Sequence, residues 1–288
     1  MLRKVNHRLV WVGVLSALFL GGCGSIIDNA VDGVATNLTR SMMDQDDPET
    51  VRQAAPAYLL MLDSFVQGDP DNPAMLYNTA ALYSAYGSVF VDDPVRAQKL
   101  TARAWGYAQH ALCVEYPQGC DIRSISFDDW NAFLADRGPK DAEALFGVAT
   151  SWLTFVQSNA SDYAVLAQLP KAEALLNRLG DINDGYEEGN ITLYLGVLNS
   201  IRPAALGGNP EKGQAYFERA IELSEGTDLS AKVSYARFYA RTLYERELHD
   251  KLLNEVLAAD PRLGASTLLN VMAQDEAKRL LESAEEYF

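Results

Sequence analysis

Basic residues are scarce in this 288-residue chain: 24 Lys and Arg stand against 39 Asp and Glu, a formal net charge of −15. Three of the bases, Arg3, Lys4 and Arg8, lie in the first 22 residues, which hold no acid. Without that stretch 21 bases face 39 acids, a balance of −18. A surface so acidic repels phosphate backbones, and no basic cluster localises an exception, so nucleic acid is excluded as a partner. Histidines number three and cysteines three. His110 and His249 have no cysteine or carboxylate constellation around them in sequence, and no metal site is expected. No nucleophile elbow, zincin helix or dinucleotide fingerprint occurs. Gly207-Gly208-Asn209-Pro210-Glu211-Lys212-Gly213 lacks the Gly-Lys-Ser/Thr order of a phosphate loop. Asp181-Ile182-Asn183-Asp184-Gly185 starts like a calcium loop, but its glycine comes one place early and no closing Glu follows. The chain is therefore read as non-enzymatic and without a cofactor.

Long apolar runs are also missing. Leu9 to Leu20 is 12 residues, too short to cross a bilayer comfortably but right for a signal peptide behind a basic start. It leads into Leu20-Gly21-Gly22-Cys23, which resembles the bacterial lipoprotein box, so residues 1–22 read as a leader and Cys23 as the lipid attachment point. Gly24, where Asp would signal retention, makes the outer membrane the default destination on the periplasmic side. Ile26, Ala30, Val34, Leu38 and Met42 recur every four residues, an amphipathic helix within a 23–47 tether. It could cover the membrane surface or dock on the folded body, and docking is preferred. Cys113 and Cys120, seven apart in an exported chain, read as a local disulfide. A metal site competes but has no third ligand.

What is abundant is short amphipathic helix. Asp44 to Asp47 breaks the chain, and residues 48–288 read as one all-α domain, with helices expected at 49–67, 73–90, 94–116, 139–158, 162–180, 184–201 and from Pro210 onward. A further short helix is expected around Phe127, Trp130 and Phe133. Asn209 caps a helix whose first turn holds Pro210, where a missing N–H is harmless. Tyr216, Phe217, Ala220 and Ile221 follow at helical spacing, and Gly226 ends it. Asp228 opens a helix stepping through Leu229, Val233, Ala236, Ala240 and Leu243. Another, through Leu248, Leu252, Leu253, Val256 and Leu257, stops at Asp260-Pro261. A terminal helix over 264–286 carries a polar end. Similar textures recur 41 residues upstream of Tyr216, at Leu175, and 36 beyond Ala220, at Val256, near the tetratricopeptide period of about 34. The fold class is an irregular tetratricopeptide-like helical-hairpin solenoid with N- and C-terminal capping helices. An ordinary helical bundle is the competing reading.

A solenoid of this kind binds through an exposed groove. Tyr77 and Tyr83 on the second helix, Tyr235 and Tyr239 near Arg237 and Arg241, and Arg202 are the candidate partner- or ligand-binding residues. Tyr and Arg dominate interaction hot spots, and the arginines could hold a carboxylate or an acidic surface. The alternative stands beside it: tyrosines at helical spacing are more often core, and in that reading the arginines pair with nearby acids such as Glu245.

Three stretches together resemble a known family: Arg202-Pro203-Ala204-Ala205-Leu206-Gly207-Gly208-Asn209-Pro210, Tyr216-Phe217-Glu218-Arg219-Ala220-Ile221-Glu222-Leu223 and Asn254-Glu255-Val256-Leu257-Ala258-Ala259-Asp260-Pro261. Leu268-Leu269-Asn270 and Tyr287-Phe288 add to them. Over roughly residues 45–288 the chain is similar to the TRAP-transporter-associated T component (TatT), a lipoprotein with tetratricopeptide repeats. The inserted loop within 202–208 separates it from generic repeats. The resemblance implies a periplasmic scaffold that associates with a TRAP-type solute-binding protein and helps pass a small organic ligand towards a permease. It carries over no catalytic residue. The membrane is reached through the N-terminal lipid, and a homo-oligomer stays open. The competing function is a scaffold lipoprotein in outer-membrane or cell-wall assembly.

The leader and the Leu20-Gly21-Gly22-Cys23 order predict a mature chain that starts at a lipidated Cys23. Mass spectrometry of protein from its native host is expected to find a diacylated or triacylated N-terminal peptide. An unmodified Cys23 would overturn the anchoring.

Overall fold

The computed structural model describes residues 37–202, 207–264 and 266–288. The leader, Cys23, most of the amphipathic segment and part of the 202–208 loop lie outside them. The chain divides into two units, residues 1–45 and 46–288. Of the first, residues 37–43 are helical.

The second unit is all-α among the described residues, a solenoid-like succession of helices. They are α1 (Pro48–Gly68), α2 (Pro73–Val89), α3 (Pro94–Glu115), α4 (Phe127–Ala135), α5 (Ala142–Ser158), α6 (Leu169–Ile182), α7 (Asn190–Ile201), α8 (Pro210–Leu223), α9 (Leu229–Ser234), α10 (Arg246–Ala258) and α11 (Thr267–Glu282). Their starts are written in side chains that accept from the first-turn amides: Asp47, Asn72, Asp93, Ser126, Asn209, Asp228 and Ser266. At four of them a proline follows, where a lost donor costs nothing.

Each helix packs on its neighbours in the chain: α2 on α1 and α3, α5 on α2 and α3, α6 on α5, α7 on α6 and α8, α11 on α9 and α10. The small residues mark the closest approaches. A Cβ at Gly87 of α2 would meet Leu100 of α3 at 3.0 Å, and one at Gly196 of α7 would meet the Phe217 ring of α8 at 3.0 Å. Two large apolar clusters result, beside two smaller ones that join α1 to α2 and α3. One runs from α2 to α7 and is centred on the stacked Trp105–Trp152 pair, 4.9 Å apart. The other runs from α7 to α11 around Phe217, Leu253 and Ala277. α11 also touches α1, and Arg262 pairs with Asp46 at 3.1 Å, so the two ends of the unit meet.

Three elements differ from the sequence pattern. The helix expected over 162–180 is split into a turn, Tyr163–Leu166, and α6, because Pro170 cannot donate and disfavours helix before it. The terminal helix starts at Thr267, capped by Ser266, and breaks at Ser283 before a last turn, Ala284–Tyr287. The helix from Asp228 changes register: Tyr235–Ala240 is π-helical, with the Arg241 amide donating to Ala236 and that of Glu245 to Ala240.

α4 and the loop before it are held from α6. The Lys171 ammonium donates to the carbonyls of Ile122, Arg123 and Ile125, while the Trp130 indole donates to the Lys171 carbonyl at 2.9 Å. Cys113 and Cys120 close the turn after α3 as a disulfide, their Cα atoms 4.4 Å apart. Buried Asp141 accepts from the Tyr116 hydroxyl at 2.6 Å and the Gly138 amide at 2.7 Å. Burial raises its pKa, but those two donors outweigh it and hold the carboxyl below the ordinary value.

The α7–α8 approach is testable. Gly196→Val drives two methyls into a Phe217 ring that has no exposure, and is expected to cost about 2–3 kcal/mol of unfolding free energy in urea titration. Gly106→Ala on α3 meets nothing within 4 Å and is expected to stabilise by about 0.5–1 kcal/mol.

Candidate binding surface

The buried positions along α1 are Val51, Ala55, Tyr58, Leu59, Leu62, Asp63 and Val66, a helical stripe interrupted by one acid. That acid is answered from two other helices. Tyr83 of α2 donates to Asp63 Oδ2 at 2.7 Å, Tyr107 of α3 donates to Oδ1 at 2.7 Å, and the Arg103 guanidinium sits 2.8 Å away. Arg103 also lies over both rings, 5.2 and 5.7 Å from their centroids. Burial, then the hydrogen bond to Asp63, pushes the Tyr83 phenol far above its usual range. Both carboxylate oxygens are engaged from other helices, so the cluster locks α1 to α2 and α3.

Tyr83 is 3% exposed, so it is not a groove residue. Tyr77 is half-buried, its ring against Gly147 of α5 and its hydroxyl buried. Burial, and secondarily Glu115, raises its pKa. Arg202 is spent on Glu173 of α6 at 2.8 Å and on the Leu198 carbonyl, with its side chain 10% exposed.

The four candidates on the π-helical segment diverge. Tyr235 and Tyr239 turn inward and are 3% and 6% exposed. Tyr235 stacks on Phe217 at 5.1 Å, and Tyr239 donates to Gln214 of α8 at 3.0 Å. Arg237 turns outward to Glu276 at 3.2 Å, an acid it shares with Arg279. Arg241 goes to the end of the chain, donating to the Leu280 carbonyl at 2.6 Å and the Ser283 hydroxyl at 2.7 Å beneath the Tyr287 ring. The partners of the two arginines are thus Glu276 for Arg237 and the Leu280 carbonyl and Ser283 for Arg241, in place of the expected Glu245. The expectation of an exposed groove of tyrosines is therefore corrected for Tyr83, Tyr235 and Tyr239. Aromatic area at helical spacing was taken up by the core.

Behind Arg241 lies a histidine with no exposure. The Arg241 Nε–H can only donate, so His249 Nε2, 3.1 Å away, accepts. His249 Nδ1 therefore carries the hydrogen and donates to Asp250 at 2.8 Å. Burial lowers the Arg241 pKa. On the other side of this half, Asn270 accepts from the Leu229 amide and donates to the carbonyls of Thr227, Pro261 and Leu263, tying two loops to α11. It borders a polar cavity of about 120 Å³ that Glu187, Asn190, Asp228 and Ser230 also line. The partnerships of Tyr83 and Tyr107 with Asp63, of Tyr239 with Gln214 and of Arg241 with Leu280 were not visible locally, since they join residues 20 to 44 apart; only Asp63, an acid on an apolar stripe, left a signal. No group of three or more metal-type ligands occurs among the described residues.

A protein-family model described as TRAP transporter T-component matches residues 44–288. A protein of Treponema pallidum (strain Nichols), itself described as uncharacterized, is similar at 24% identity over 271 residues, covering 88% of this chain and 84% of its own.

The two arginines of the π segment should separate in a mutational test. Arg241→Ala strips partners from buried His249 and from the Leu280 carbonyl, and is expected to cost about 2–4 kcal/mol. Arg237→Ala removes a half-exposed pair worth at most about 1 kcal/mol. Chemical denaturation of both variants decides; equal losses would refute the division.

Proposed function

This chain belongs to the TRAP transporter T-component family, and on that premise we propose that it is a non-catalytic, lipid-anchored periplasmic accessory that binds the system's solute-binding protein and helps transfer a small organic ligand. The observation that carries the reading is the family match over residues 44–288, which spans the whole helical unit. Membership makes the chain a TRAP transporter component; the receptor contact and the ligand transfer are the finer steps proposed here.

The polar chemistry supports an accessory role. Asp63, Arg241, His249 and Asn270 are each saturated by groups of the chain itself, as a scaffold requires and a reacting site does not. The anchoring rests on the leader and on Leu20-Gly21-Gly22-Cys23. No helix among the described residues is long and apolar enough to cross a membrane. An outer-membrane location follows the Gly24 reading.

Affinity capture of the tagged full-length chain from membranes of its native host, followed by mass spectrometry, tests the reading. The expected principal partner is a TRAP-type solute-binding protein. Recovery of barrel-assembly or cell-wall proteins in its place would replace this function with the scaffold reading.

A further inference from the structure

Most large aromatic residues of the chain are buried, but one cluster is turned outward. Tyr244, between the π-helical segment and α10, is 69% exposed, and Tyr287 in the last turn is 41% exposed. Their rings are 5.9 Å apart and nearly parallel, and Phe288 sits edge-on to both at 6.2 and 5.2 Å. Leu243, 39% exposed, precedes Tyr244 in the chain. The support beneath is rigid: Arg241 lies under Tyr287 and His249 lies against Phe288.

The backbone is unusual as well. Tyr244 has φ +58°, a left-handed conformation that bulky side chains rarely adopt and that costs on the order of 1–3 kcal/mol. Folding alone gains little by it, because the ring stays mostly in water. Around the aromatics acidic side chains predominate. Glu245, Glu247, Glu285 and Glu286 are all exposed, with Asp250 beside them. Arg246 is the one base of that rim, and it is committed to Glu285 and Asp250, while the Arg241 fork is spent inside.

We propose that the Tyr244–Tyr287–Phe288 cluster is the surface on which this chain docks its protein partner, and that the partner presents an apolar socket rimmed by Lys and Arg. Aromatic residues held rigidly at the centre of a charged ring have the make-up of an interface hot spot. The acidic rim selects a basic counterpart and accelerates encounter. The proposal rests on the reading of the chain as a receptor-binding accessory and assigns that contact to one corner of the fold.

The test is the affinity of the full chain for the copurifying TRAP-type solute-binding protein, by calorimetry or biolayer interferometry. Tyr244→Gly removes the ring and relieves the left-handed φ, so the fold should be as stable as the parent or slightly more so. Binding is expected to fall by about tenfold or more. Glu247→Lys with Glu286→Lys, both exposed, is expected to weaken binding several-fold, chiefly through the association rate, and parent binding should weaken as ionic strength rises. Parent affinity retained in Tyr244→Gly, or strengthened by the lysines, would overturn this surface while leaving the accessory function standing. No binding by the parent chain would sink that function and the surface with it. Light scattering covers the remaining occupant: an oligomer of the parent that falls to monomers in Tyr244→Gly would make the patch a contact between copies and overturn the proposal.

Discussion

One helix without a charge holds the unit together. α7, Asn-Ile-Thr-Leu-Tyr-Leu-Gly-Val-Leu-Asn-Ser-Ile, contributes Ile191, Leu195 and Leu198 to one apolar cluster and Leu193 to the other. Gly196 is where the second cluster is pinned, since Phe217 lies against it and Tyr235 stacks on the far face of that ring. A helix buried on both sides cannot shift to accommodate a change on one of them, because protein interiors are packed to crystal density. α8 and the π-helical segment are therefore positioned by α7, and the loops and helices after them are positioned in turn.

Polar groups in this fold act mostly as fasteners. Asp63 joins three helices through two phenols and a guanidinium, Lys171 collects three carbonyls of the loop before α4, and Asn270 ties two loops to α11. Such groups are costly to bury alone, and each is stable only because its partners are all present. Removing one partner leaves the others buried and unanswered, so the penalty exceeds the worth of the bond itself.

How much could be read in advance follows from the range of each interaction. Helix starts depend on residues three or four apart, so Asn72-Pro73, Asp93-Pro94 and Asn209-Pro210 announced α2, α3 and α8 to within a residue. The α-helical class was legible for the same reason. The side on which Tyr83, Tyr235 and Tyr239 lie was not, because a tyrosine at helical spacing suits a core or a groove equally. Only the arrival of Asp63, Phe217 and Gln214 from other helices decides it. The groove reading of Tyr83, Tyr235 and Tyr239 failed in that way, while the outward cluster was missed because Tyr244 and Tyr287 are 43 positions apart and meet only once α11 has folded back on α10.

The π-helical segment shows why an irregularity need not itself be the functional feature. Its extra residue per turn weakens backbone geometry, but that cost is offset locally, since the wider turn sends both Tyr235 and Tyr239 into α8 and still leaves Arg241 aimed at Leu280 and Ser283. The register has to be recovered before α10 begins. Glu245 donates its amide back to Ala240, and the chain passes through the left-handed Tyr244 to do so. Glycine or asparagine would serve that turn with less strain. A tyrosine there gains only a partial stack on Tyr287, too little burial to explain it by stability, and so the residue where local structure and side chain disagree is the one whose ring faces out.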